Sequence, residues 1–126
     1  MVSPATINTY EVEPEPGVCL LVEEDVNELT VEEMIVETFP EKPELMKRVA
    51  KCESGMRQFL DNGEPVQGPT NDWGLFQIHA PSWNEEALNS GLDYKYSLEE
   101  NIAMARIVYD EQGISAWNPS RHCWGS

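Results

Sequence analysis

A segment rich in helix-breaking residues divides the helical part of this 126-residue chain. Asn62-Gly63, Gly68-Pro69 and Gly74 favour turns, because glycine tolerates positive φ and proline lacks a backbone donor. No helix is expected to continue through this segment, which leaves room for a small hairpin or irregular strands. We therefore predict an α+β fold that is mostly helical, with a minor β segment forming one wall of a cleft.

Capping signals and glycines predict four helices around this segment. In a capping box, a Ser or Thr side chain and a Glu side chain three residues later each bind a free backbone N–H at a helix start. The pairs with this spacing are Thr30 with Glu33, Ser82 with Glu85, and Ser97 with Glu100. Glycines stand where helices should stop, at Gly55, Gly91 and Gly113. We predict helices over residues 31 to 39, 43 to 54, 82 to 90 and 98 to 112.

The charge and the apolar content of the chain disfavour two kinds of partner, nucleic acid and the membrane interior. It carries 8 basic and 23 acidic residues, for a net charge of −15, and residues 1 to 44 hold 12 of the acidic residues with one lysine. Nucleic-acid binding is disfavoured because phosphate contacts depend on clusters of lysine and arginine. Membrane insertion is not expected either, since no run approaches 18 apolar residues.

The length of the chain suits one folded domain preceded by an arm. Prolines in an acidic background predict a linker or loosely docked arm in residues 1 to 29, followed by the domain in residues 30 to 126. Val18 to Val22 is an apolar run that we expect to tuck against the domain, with a strand or an interaction segment as alternatives. No signal peptide is visible. If the protein acts outside the cytoplasm, its export signal has been removed, lies on a longer parent chain, or is replaced by a phage-type release route.

Two carboxylates stand in unlike surroundings. Glu53 shares a helical stripe with Met46, Val49 and Ala50, so its side chain should be partly buried. Asp72 follows a polar loop, where it should stay solvated and ionised. Breaking a glycosidic bond needs an acid to protonate the leaving oxygen and usually a second carboxylate of different solvation. The pair therefore suggests glycosidase chemistry.

Three blocks of the sequence, in this order, resemble the lysozyme superfamily, which includes animal-type lysozymes and bacterial lytic transglycosylases. Glu53-Ser54 resembles its catalytic Glu-Ser at a helix end, and the run from Asp72 to Ile78 resembles its Asp-aromatic-Gly-x-x-Gln-Ile strand. The third block comprises Asn101-Ile102-Ala103 with Ile107-Val108, the run from Gly113 to Trp117, and Cys123. The resemblance covers about Thr30 to Gly125 and implies a lysozyme-like helical core.

The resemblance implies roles for the two acids and for a tryptophan. Glu53 would be the general acid, kept protonated near neutral pH by apolar contacts, and Trp117 is the candidate for that apolar wall, unless it is a plain core residue. Asp72 would stabilise or attack the glycosyl centre. Many lytic transglycosylases lack this aspartate and use the 6-hydroxyl of the sugar instead, and an aspartate before a turn is also a common cap.

Four other residues are candidates for substrate binding. The resemblance places Gln77 in the cleft, where its amide could bind sugar or backbone groups, and gives Ser54 a role in orienting the acid. His79 stands where relatives more often carry asparagine, so the sugar contact there would be changed. Trp83 either stacks on a sugar ring or anchors the core.

The cysteines leave one pairing open. In the animal-type relatives a disulfide joins the helix of the catalytic acid to the C-terminal segment, but its helix cysteine lies about one turn earlier than Cys52. Cys52 and Cys123 are therefore either bonded or two buried free thiols, and Cys19 is expected to be unpaired. No cysteine and histidine spacing suits zinc, so we expect no metal and no cofactor.

The sequence thus predicts a peptidoglycan-cleaving glycosidase that hydrolyses the β-1,4 bond between N-acetylmuramic acid and N-acetylglucosamine. Its partner would be a peptidoglycan glycan strand. We expect the protein to be a monomer and to act at an extracellular or periplasmic location. The alternatives are a lytic transglycosylase that forms 1,6-anhydro products, and a non-catalytic saccharide-binding module on the same scaffold.

Overall fold

The computed structural model describes residues 28 to 125. Most of the predicted arm, the run from Val18 to Val22 and Cys19 lie outside the described residues. The described part is mostly helical with one small antiparallel sheet, which confirms the predicted α+β class. The α-helices are α1 (Val31–Thr38), α2 (Pro43–Ser54), α3 (Ala80–Ser90), α4 (Leu98–Gln112) and α5 (Arg121–Trp124), and a 3₁₀ helix (Gly113–Ser120) joins the last two.

The helix starts follow two of the three predicted capping signals. The Glu33 backbone N–H donates to Thr30 Oγ1 over 3.1 Å and the Thr30 N–H donates to Glu33 Oε1 over 2.8 Å, which is a complete capping box. Ser97 caps α4 in the same sense by accepting from the Glu100 N–H. The prediction for α3 is wrong: that helix begins earlier, after His79 and with a proline in its first turn, so Ser82 lies inside it.

Glycine ends α2 directly after the candidate acid. Gly55 adopts φ 72°, and the N–H groups of Gly55 and Met56 bond to the carbonyls of Lys51 and Ala50. Gly91 closes α3 with a similar left-handed conformation. The predicted helix ends at these glycines are therefore confirmed, and Glu53 lies in the last turn of a helix that stops abruptly.

The sheet consists of two short strands, β1 (Asp72–Trp73) and β2 (Ile78–His79). Asp72 pairs with His79 and Trp73 with Ile78, so the tight turn between them places the Asp72 and His79 side chains next to each other. Strands this short are not stable alone in water. The turn is instead held by two buried side-chain amides, those of Gln58 and Asn101.

Gln58 and Asn101 bind the backbone of that turn. Gln58 Oε1 accepts from the Leu75 N–H over 2.9 Å, and Asn101 Oδ1 accepts from the Phe76 N–H over 2.9 Å. A Cβ at Gly74, which has φ 80°, would collide with both amides. Glycine is therefore required there both by the left-handed backbone and by the close approach of two polar side chains.

The buried aromatic ring of Phe76 packs near two other aromatic rings of the core. Its centroid lies 5.9 Å from that of Phe39, at the end of α1, and 5.9 Å from that of Trp117 in the 3₁₀ helix.

A disulfide between Cys52 and Cys123 ties α2 to α5, which resolves the open pairing in favour of the bond. None of the helices between residues 28 and 125 has the length and apolar character needed to cross a bilayer.

Candidate active site

A cleft of about 450 Å³ lies between the end of α2, the small sheet, the start of α3 and the 3₁₀ helix. Six of the candidate site residues line it: Glu53, Asp72, Gln77, His79, Trp83 and Trp117. Residues that were not site candidates from the sequence complete the wall: Thr70, Ile78, Ser82, Val108, Gln112, Ala116 and Pro119. The structure therefore gathers both acids in one cavity.

Glu53 is half-buried, as its position on the apolar stripe of α2 predicted. Burial raises the pKa of this carboxyl above its ordinary value, because the charged form loses hydration, and the negative charge of Asp72 raises it further. The Ser120 hydroxyl, 2.5 Å from Oε2, acts in the opposite direction by stabilising the carboxylate. Burial is the largest of the three influences on the pKa, so the acid holds its proton more tightly than a solvated glutamate.

Asp72 is less exposed to solvent than its polar loop suggested. Its side chain is 20% exposed, and both carboxylate oxygens have protein partners. His79 Nδ1 lies 2.9 Å from Oδ1, and the Thr70 hydroxyl donates to Oδ2. The expectation of a freely solvated aspartate is therefore met only in part, because the short antiparallel turn brings His79 and the preceding loop onto it.

Both tryptophans are core residues that also border the cleft. Trp117 is 4% exposed and its indole N–H donates to the Phe76 carbonyl over 2.9 Å, so it belongs to the core and also forms part of the cleft wall. Trp83 is 7% exposed and also lines the cleft. Neither ring offers a broad open face, so each contributes apolar wall rather than a free stacking surface.

Gln77 lines the cleft, but its amide N–H₂ group donates its hydrogen bonds to backbone carbonyls of the protein. Its Nε2 donates to the carbonyls of Val66, over 3.3 Å, and Gly74, over 3.1 Å, and its backbone has φ 51°. Its Oε1 lies against Gly68, where a Cβ would collide with it. The residue therefore holds the loop before β1 against the turn, which fixes the wall that carries Asp72.

Ser54 is not among the residues that line the cleft. Its hydroxyl donates to the Ala50 carbonyl over 3.1 Å and accepts from the Arg57 N–H over 3.2 Å, so it closes the last turn of α2. The predicted contact with substrate finds no support in this placement. Its influence on Glu53 is indirect, through the geometry of the helix end.

Ser120 is the important site residue that the sequence did not reveal. Its Oγ lies 2.5 Å from Glu53 Oε2 and 3.1 Å from the Trp117 carbonyl, and it accepts from the Trp124 indole N–H over 3.0 Å. A hydroxyl has one proton, so it donates to either the carboxylate or the carbonyl at a given moment. Ser120 follows Glu53 by 67 positions, and no local spacing links the two.

Thr70 donates a hydrogen bond from its hydroxyl to Asp72, as Ser120 does to Glu53. Thr70 lies only two residues before Asp72 in the sequence. Within residues 28 to 125 no cluster of three or more histidine, cysteine, aspartate or glutamate side chains is arranged to hold a metal ion. Among the residues that line the cleft, Glu53, Asp72 and His79 carry titratable groups, and Thr70 and Ser82 carry hydroxyl groups.

Comparisons with protein-family models, with curated proteins and with solved structures give no significant match to this chain.

Proposed function

We propose that this protein is a glycosidase that cleaves peptidoglycan. The reaction is hydrolysis of the β-1,4 bond between N-acetylmuramic acid and N-acetylglucosamine, with Glu53 as general acid. The observation that carries the proposal is the half-buried carboxyl of Glu53 in the cleft wall, whose pKa is raised by burial and by the charge of Asp72. Such a carboxyl stays protonated nearer to neutral pH, as protonation of a glycosidic oxygen requires.

The character of the cleft supports a saccharide substrate. Its volume of about 450 Å³ lies within the usual range for small-molecule sites, roughly 300–1,000 Å³. The wall combines apolar surface from Trp117 and Val108 with polar groups from Ser82, Gln112 and His79. Sugar rings present both apolar faces and hydroxyl groups, so a wall of mixed character suits them.

Asp72 serves as the second carboxylate in this mechanism. It lies near enough to Glu53 to raise the pKa of that acid, and its charge would stabilise the positive anomeric centre that develops as the glycosidic bond breaks. The resemblance of the blocks at Glu53-Ser54 and from Asp72 to Ile78 to those of the lysozyme superfamily supports the same assignment.

The disulfide supports action outside the cytoplasm. Bonds such as that between Cys52 and Cys123 form and persist in oxidising compartments and are rare where thiols are kept reduced. We therefore place the protein in an extracellular or periplasmic setting, where it acts as a monomer on a peptidoglycan glycan strand and needs no cofactor.

One observation favours a second candidate, the lytic transglycosylase reaction. Both oxygens of Asp72 are engaged by His79 and Thr70, which reduces the freedom of this carboxylate to attack a sugar. In a transglycosylase Glu53 acts with the 6-hydroxyl of the N-acetylmuramic acid residue, and the product carries a 1,6-anhydro ring.

The decisive experiment is digestion of purified peptidoglycan followed by mass analysis of the soluble fragments. We expect reducing N-acetylmuramic acid ends from the wild type, and a rate lower by on the order of 10²–10⁴ for Glu53→Gln, the usual contribution of a general acid. Glu44→Gln is the matched control, since it makes the same change at the exposed start of α2.

Three other results are possible, and each leads to a different conclusion. Fragments lighter by one water would identify the transglycosylase. If Glu53→Gln cleaves as fast as the wild type, Glu53 is not the acid. If neither protein cleaves peptidoglycan but both bind it, the saccharide-binding module is correct.

A further inference from the structure

A histidine and an aspartate form a hydrogen-bonded pair on the β wall of the cleft. Asp72 and His79 are direct cross-strand partners, and His79 Nδ1 lies 2.9 Å from Asp72 Oδ1. The Thr70 hydroxyl donates to Oδ2 and so holds the carboxylate from its other side. The carboxylate can only accept while ionised, so Nδ1 of the neutral imidazole must carry the ring proton.

This arrangement leaves the other ring nitrogen of His79 available. With the proton on Nδ1, Nε2 carries the lone pair, and within residues 28 to 125 it has no hydrogen-bond partner. The side chain of His79 lines the cleft and is 41% exposed, against 20% for that of Asp72. Water in the cleft therefore reaches the imidazole more readily than it reaches the carboxylate.

We propose that Nε2 of His79 is the general base that activates the hydrolytic water, with Asp72 as the positioning residue that orients the ring. This inference rests on the proposed glycosidase function and specifies how water enters the reaction. Asp72 is poorly suited to act as a nucleophile, because both of its oxygens already have protein partners. An orienting carboxylate behind an imidazole is a common way to fix its tautomer and the direction of its second nitrogen.

The step balances with the groups present. Glu53 gives its carboxyl proton to the leaving oxygen as the bond between C1 of N-acetylmuramic acid and that oxygen breaks. A water oxygen bonds to C1 from the opposite side, and its proton passes to Nε2 of His79, which leaves an imidazolium beside ionised Asp72. Solvent then returns a proton from His79 to Glu53. Attack opposite to the leaving group inverts C1, so a β-linked substrate gives an α product.

The configuration of the first product tests the inference. The anomeric proton of the new reducing end is followed by NMR during the first minutes of digestion of a soluble glycan strand, before mutarotation mixes the forms. We expect the α anomer to appear first. Initial release of the β anomer, or of a 1,6-anhydro end, would overturn the role of His79 and leave Glu53 as the acid. Absence of any cleavage would overturn the proposed function and this inference together.

Substitution of His79 supplies an independent test. His79→Asn and His79→Gln replace the ring by amides that can still bond to Asp72 but cannot take up a proton. We expect kcat to fall by on the order of 10²–10⁴ with KM changed only a few-fold. His122→Asn is the control, because it changes the other histidine of the chain, which is exposed on α5. Unchanged kcat in both His79 variants would contradict the assignment.

Two readouts separate a base from a merely structural histidine. Among the residues that line the cleft, the titratable groups besides His79 are Glu53 and Asp72. The pH–rate profile of His79→Asn should differ in shape from that of the wild type, because the amide cannot take up a proton in the reaction. The nitrogen–proton spectrum of the resting protein should show the proton on Nδ1. A proton on Nε2 would exclude this nitrogen as the base.

Discussion

At the scale of single residues, the chemistry depends on the surroundings of Glu53. Burial and the charge of Asp72 both raise the pKa of this carboxyl, and the Ser120 hydroxyl lowers it. The residue therefore resists ionisation without being sealed from the cleft. Removing the Glu53 carboxyl should change the stability of the protein in a predictable direction. Removing the Ser120 hydroxyl should do the same for the pKa of Glu53.

Replacement of Glu53 by glutamine should stabilise the protein at neutral pH. The pKa in the folded state is raised above the ordinary value near 4.5, so the folded state binds this proton more tightly than the unfolded chain. The free energy of unfolding of the wild type should thus fall as pH rises from about 4.5 through the raised pKa, whereas Glu53→Gln lacks this dependence. We expect a gain in the free energy of unfolding at pH 7, because a neutral amide loses less hydration on burial than a carboxylate does.

Urea denaturation at several pH values measures this effect. The difference between Glu53→Gln and the wild type should disappear below about pH 4, where the glutamate is protonated in both states. A variant less stable than the wild type at pH 7 would show that Ser120 and other contacts outweigh the burial of the charge.

Replacement of Ser120 by alanine should shift the pH dependence of cleavage. The hydroxyl stabilises the charged form of Glu53, so its loss should raise the pKa of the acid further. The fall in rate on the alkaline side should then occur at higher pH, as measured by a pH–rate profile. Ser115→Ala is the control, because that hydroxyl is exposed and donates to the Gln112 carbonyl. A shift to lower pH would contradict the assigned role of Ser120.

At the scale of elements, two buried amides make a very short sheet rigid. Asn101 in α4 accepts from the Phe76 N–H and donates to the carbonyls of Trp73 and Tyr94, while Gln58 holds the same turn from the other side. The strands themselves contribute little stability at this length. The position of Asp72 and His79 thus depends on α4, which carries neither of them.

Replacement of Asn101 by alanine should therefore destabilise the fold strongly. Three backbone groups would lose a buried partner, and we expect a loss of roughly 3 kcal/mol in the free energy of unfolding. Urea denaturation measures it, with the exposed Asn89→Ala as control, expected within about 0.5 kcal/mol of the wild type. A loss as small as that of the control would mean that the turn does not depend on this amide.

At the scale of the whole molecule, the disulfide closes the domain. Cys52 lies beside Glu53 on α2, and Cys123 lies on α5, a sequence separation of 71 residues. Closing a long loop restricts the unfolded chain, and α5 also brings Trp124 against Ser120. The bond therefore secures the segment that supplies the hydrogen bond to the acid.

Replacing both bonded cysteines by serine should lower the free energy of unfolding by about 2–4 kcal/mol. Guanidinium denaturation of the double variant Cys52→Ser/Cys123→Ser measures this, and a reducing agent should destabilise the wild type but not the variant. Equal stability of the two proteins without reducing agent would show that the bond does not constrain the fold.

Local signals predicted the helices well, because caps and glycine stops act between residues a few positions apart. Thr30 with Glu33, Ser97 with Glu100, and Gly55 were each interpreted correctly from their neighbours alone. The start of α3 was not, since Ser82 and Glu85 had the right spacing but Pro81 and the end of β2 at His79 allowed an earlier start. Most of the residues predicted for the candidate site line the cleft. Ser54 is the exception, because the structure places it at the end of α2 outside the cleft wall.

The sequence by itself determined the α+β class and the helix that ends after Glu53, with the break in helical structure that follows it. Only the tertiary structure decided that Ser120 bonds to Glu53, that His79 pairs with Asp72, and that Cys52 is bonded to Cys123. The physical reason is range. Backbone propensity and capping act within one or two turns, whereas the environment of a buried carboxyl is set by groups that meet only when the whole chain packs.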